Sequence, residues 1–71
     1  MNYGQTHVYG VSLSYLMTNG DRSFSYYEIP AESENEATDF VRQGFYREHP
    51  LAFYEPDVSA KLLYTDYWSA L

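Results

Sequence analysis

Large apolar and small polar residues alternate over residues 6 to 18. Tyr9, Val11, Leu13, Tyr15 and Met17 fall on one side, and Val8, Gly10, Ser12, Ser14 and Leu16 on the other. A period of two with this segregation marks a half-buried strand. Asn19-Gly20-Asp21 follows, and because Asn and Gly both tolerate positive φ, it predicts a tight hairpin. The aromatic-rich stretch Arg22 to Ile29 is then the returning strand, ended by Pro30. A two-residue turn would set Tyr15 against Phe24 and Leu13 against Tyr26. A three-residue Asn19–Asp21 loop would set Leu13 against Tyr27 and Val11 against Ile29. Both registers bury apolar side chains, so the pattern leaves the choice open.

The period changes after Pro30. Ser33-Glu34-Asn35-Glu36 has the form of a capping box, in which the serine hydroxyl bonds the Glu36 amide and Glu36 reaches back. Ala37, Phe40, Val41, Gly44 and Phe45 then recur at helical spacing and define an apolar face. Gly44 either stops this helix or only weakens it, and His49-Pro50 lies beyond its end, because a residue before proline resists helical geometry. Leu51 to Tyr54 has the composition of a short strand, closed by Glu55-Pro56-Asp57.

The last third satisfies two patterns. Ala60, Leu63, Tyr64, Tyr67, Trp68 and Leu71 fit one face of a helix that Asp57 could cap, yet the same residues alternate well enough for a strand. A lone hairpin is marginal and needs a third strand or a helix, which favours a strand over Lys61 to Tyr67. The expected fold is α+β: an antiparallel sheet built on the N-terminal hairpin, with one helix packed across it (β-β-α-β). The alternative is a hairpin carrying two helices.

Seventy-one residues without an internal repeat or linker make residues 1–71 one small domain. Without cysteine the chain has no disulfide or thiolate metal site. Its stability must come from packing, for which an aromatic fraction of 20% is the main resource, or from association. Met1-Asn2-Tyr3-Gly4-Gln5 lacks the basic stretch and apolar run of a secretory leader. No segment approaches the length of a membrane span. A cytoplasmic protein is expected (host-cell cytoplasm if viral).

Charge narrows the partners. Four basic against ten acidic residues leave a net charge of −6, which disfavours direct contact with nucleic-acid phosphates and favours a basic protein surface. The four glycines are scattered and form no phosphate loop. His7 and His49, the only imidazoles, have no ligand spacing with Glu48 or Asp57. Nothing brings a Ser-His-Asp set together. The expectation is therefore no catalytic residues, no metal, no cofactor and no enzyme activity.

Two features remain as recognition candidates. Glu32, Glu34, Glu36 and Asp39 cluster at the helix start, where the helix dipole alone already favours anions. They could also present phosphate-like spacing to a basic groove. The second feature is nine tyrosines, more phenols than so small a core can bury with partners for each hydroxyl. Tyr26 and Tyr27, adjacent on a strand, point to opposite faces. The candidate partner-binding set is Glu32, Glu34, Asp39, Tyr26, Tyr27 and Tyr67, with Glu36 held back because it also serves the cap.

In length, acidity, lack of cysteine and hairpin-then-helix layout the chain resembles the small phage-encoded anti-CRISPR proteins, though no motif is shared. The resemblance implies a non-enzymatic inhibitor, a DNA mimic in effect, that binds a basic nucleic-acid-handling complex and blocks it. The other expectations are a small homo-oligomeric accessory or structural protein, including a homodimer, or a small subunit completing another enzyme's site.

Overall fold

The computed structural model describes the backbone of residues 2–52 and 54–70, and burial over residues 4–52 and 54–67. It is an α+β fold of four elements: β1 (Asn2–Leu16), β2 (Arg22–Ala31), α1 (Glu34–Glu48) and β3 (Asp57–Ala70). The three strands form one antiparallel sheet in the order β2-β1-β3, with α1 packed across it. The two-helix alternative is excluded, because residues 57–70 are strand throughout. The short strand expected over Leu51 to Tyr54 is not formed at Leu51 or Ala52, where the chain turns; Phe53 lies outside the described residues.

The hairpin closes through neither expected register. Leu13 pairs with Ser25, Val11 with Tyr27 and Tyr9 with Ile29. The loop has three residues, but they are Thr18-Asn19-Gly20, one position earlier than Asn19–Asp21. The Gly20 amide donates to the Met17 carbonyl at 3.0 Å, and the Met17 amide donates to the Asp21 carbonyl at 2.7 Å. Gly20 sits at φ 93°, the left-handed residue that completes a type I turn with a bulge. The Asn19 side chain accepts the Asp21 amide at 2.9 Å instead of forming the centre of a two-residue turn. Moving the loop by one residue shifts every partner by two. Tyr27 and Ile29 therefore stay on the face they would have occupied.

The helix begins where its cap requires. Ser33 is extended (φ −147°, ψ 163°) and its hydroxyl accepts the Glu36 amide at 3.1 Å. Gly44 lies inside the helix and does not end it; the last amide bond is His49 to the Phe45 carbonyl at 2.8 Å. The buried stripe is narrower than the apolar pattern. Ala37, Val41 and Phe45 are buried, while Phe40 is 66% exposed. Phe40 hangs over the β2 margin, beside Ile29, where the sheet ends.

The core is small: Tyr9, Val11 and Leu13 from β1, Ala31 from β2, and the helix stripe, flanked by Tyr15, Ile29, Val58 and Ala60. A 15-residue helix spans only about 22 Å, whereas the molecule is 54 Å long. Beyond His7, opposite the end of β2, β1 and β3 continue as a two-stranded ribbon that pairs Asn2–Thr6 with Asp66–Ala70. A bulge in β3 precedes the ribbon: Val8 pairs with Tyr64 but Tyr9 with Leu62, which leaves Leu63 as the extra residue.

Candidate functional site

The sheet has two unlike faces. Tyr9, Val11, Leu13 and Tyr15 of β1 meet the helix. Val8, Gly10, Ser12 and Ser14 turn to the opposite face, over which no described element packs. Strand pairing arranges that open face in rows: Phe24-Ser14-Asp57, Tyr26-Ser12-Ser59, Glu28-Gly10-Lys61 and Pro30-Val8-Tyr64. The β2 column is bulky and the centre is low. Phe24 is 75%, Tyr26 59% and Tyr64 54% exposed, far above what a packed aromatic shows. The Tyr26 ring leans across the sheet: a Cβ on Gly10 would collide with its Oη. Gly10 is buried on this face for that reason, and the ring needs the missing side chain. At one end the Arg22 guanidinium bridges all three strands, donating to Ser14 Oγ and Asp57 Oδ2 at 3.1 Å each.

Charge divides between the faces. The open face carries Glu28, Asp57 and Asp66 against Arg22 and Lys61, a net charge of −1. Glu32, Glu34, Glu36, Asp39 and Glu48, against Arg42 and Arg47, leave −3 for the helix and its start, and Asp21 and Glu55 lie in the two loops.

The expected binding residues are split by this geometry. Glu32 and Glu34 are exposed at the helix start, where Glu32 and Glu36 border a depression of about 560 Å³ that also takes in His7 and Pro30. Asp39 is exposed one turn on, but Arg42 holds it at 3.0 Å, so part of its charge is locally compensated. Tyr27, 43% exposed, is on the helix side, in a groove with Ile29, Phe40 and Gly44. Tyr26 is on the open face. Tyr67, opposite Gln5, is out on the ribbon. Glu32, Glu34, Asp39 and Tyr27 thus share one side of the molecule, and Tyr26 and Tyr67 lie apart from them.

A further constellation was not expected from sequence. Tyr15, Phe45 and His49 form a three-ring cluster with centroids 4.8–5.0 Å apart. It floors an apolar cleft of about 570 Å³ rimmed by Met17, Leu51 and Tyr54. The signal was present in the spacing, because Phe45 and His49 are four apart and a helix stacks such residues on one face. His7 is also engaged: its Nδ1 lies 2.9 Å from Thr65 Oγ1 across the strands. Among the described residues no three His, Asp or Glu side chains gather as metal ligands, and no helix is long and apolar enough to cross a membrane.

No family model, curated protein or solved structure matches this chain.

Proposed function

We propose that this chain is a non-catalytic binding protein that offers its acidic helix side to a basic, nucleic-acid-handling protein partner. The distribution of charge supports this: −3 on the helix and its start against −1 on the open face. The helix dipole favours anions at its start, and the same concentration of exposed charge suits a surface that meets a basic partner. Glu32, Glu34 and Asp39 supply the charge, and Tyr27 with Phe40 supplies the apolar contact beside it. In its most specific form the reading is the one the resemblance implies, a phage or mobile-element inhibitor of anti-CRISPR type that occupies a surface meant for DNA, acting in the cytoplasm.

Affinity capture from phage-infected cells tests the proposal, with the wild type compared against the triple variant Glu32→Gln, Glu34→Gln, Asp39→Asn. A basic nucleic-acid-binding protein should be retained by the wild type, released by added salt, and missed by the triple variant. Identical retained proteins for both baits would refute it.

A further inference from the structure

We propose that the open sheet face is the seat of a second copy of this chain, with the two-fold axis running along β1 over Gly10. This inference concerns the opposite face from the acidic side and does not depend on the partner proposed for it.

Area supports the inference first. The chain exposes 5575 Å², whereas a folded monomer of its 8.3 kDa exposes about 4,600 Å². The excess of about 1,000 Å² exceeds the roughly 800 Å² each partner loses in a standard interface. Phe24, Tyr26 and Tyr64 contribute part of that excess on the one face that no helix covers, and Tyr67 on the ribbon, Phe40 and Tyr54 contribute elsewhere.

Self-complementarity supplies the occupant. A two-fold axis along β1 sets β2 of one copy over β3 of the other and leaves each row level with itself. The bulky column of Phe24 and Tyr26 then descends onto the partner's low column of Asp57 and Ser59, and the serine and glycine centre leaves room between. In the Gly10 row, Glu28 meets the partner's Lys61, and Lys61 meets the partner's Glu28. Pro30 lies against the partner's Tyr64. An axis across the strands at the same point would instead set Glu28 on Glu28. A face bearing −1 can meet its own copy with less repulsion than two helix sides of −3 would face. The dimer has four layers, helix-sheet-sheet-helix, with both acidic sides turned outward.

Sedimentation equilibrium of the full chain, from low micromolar to millimolar concentration, tests this. The expected species is a dimer of twice 8.3 kDa. Phe24→Lys should raise its dissociation constant at least ~30-fold, the size of a lost interface anchor. Glu28→Lys alone and Lys61→Glu alone should each weaken it about 10-fold, and the double variant should return to within about threefold of wild type. All these side chains are exposed in the single chain, and circular dichroism of each variant verifies that the fold survives. A monomer at every concentration overturns the proposal. So does a dimer that Phe24→Lys leaves intact, because its contact is then elsewhere, such as the outer edge of β3. A double charge swap no tighter than either single one overturns the axis and with it the arrangement proposed.

Discussion

The two faces of this sheet are built from the same three strands and the same alternation, yet only one of them makes a core. On the helix side, Tyr9, Val11 and Leu13 lose nearly all their exposure to Ala37, Val41 and Phe45. On the open side, Phe24, Tyr26 and Tyr64 keep more than half of theirs. Apolar residues on both faces of a strand are what a sheet buried on both sides requires. The chain supplies one covering layer, from a helix less than half the length of the molecule. An aromatic side chain in a strand therefore does not by itself imply a core position in this protein.

That contrast is broken most severely at Phe45. It is buried at the centre of the helix contact and stacked between Tyr15 and His49. Phe45→Ala should cost about 3–5 kcal/mol, a large share of the stability of so small a domain. The thermal transition should fall by tens of degrees or disappear. Phe24→Ala removes the same group from the other face and, in dilute solution, should leave the transition nearly unmoved. Equal losses for the two variants would mean that the open face is already packed at low concentration.

Smaller effects are expected where the helix side is held in place rather than filled. Ser33→Ala removes the acceptor of the Glu36 amide and should cost about 1 kcal/mol. Gly20→Val places a β-branched side chain at φ 93° and should cost on the order of 1 kcal/mol or more. Each is read from denaturant midpoints, and an unmoved midpoint would contradict the cap or the turn. Gly10→Ala differs in kind. Its new Cβ displaces only the far end of the Tyr26 ring, so single-chain stability should change little while the open face loses its shape. A loss of dimer without a comparable loss of stability is the expected result.

The elements with local signals were legible in the sequence: the hairpin, the Ser33 cap and the order of elements. What was obscured follows from residues that do not obey a single period. Leu63 is an extra residue in β3, so the alternation before it, Val58-Ala60-Leu62, is out of step with the one after it. A strand with a bulge presents apolar residues three and four apart, and over Ala60 to Tyr67 that looks helical. The hairpin register was hidden because Asn19 works through its side chain, bonding the Asp21 amide, and not as the centre of a two-residue turn. Of the candidate binding residues, the sequence brought the carboxylates together because they are neighbours in the chain. It could not place Tyr26 and Tyr27 relative to the helix, since adjacent strand residues differ only in which face receives the covering layer.

The smallest effect sharpens the comparison most. Arg22 and Asp57 are exposed partners, their side chains 44% and 79% accessible, so solvent screens the pair and its contribution is at most about 1 kcal/mol. Asp57→Asn keeps an oxygen to accept the Arg22 hydrogen bond and removes only the charge. In dilute solution its thermal transition should match wild type. At high concentration the proposed dimer places the partner's Phe24 over Asp57 and takes the pair out of water. Removing one charge there leaves the guanidinium partly buried without its counter-ion, a larger penalty than the pair was worth in solvent. The wild-type transition should therefore rise with concentration, and the Asp57→Asn transition should rise less. Parallel concentration dependence in the two proteins would leave the Arg22 end of the open face in water and would contradict the axis along β1.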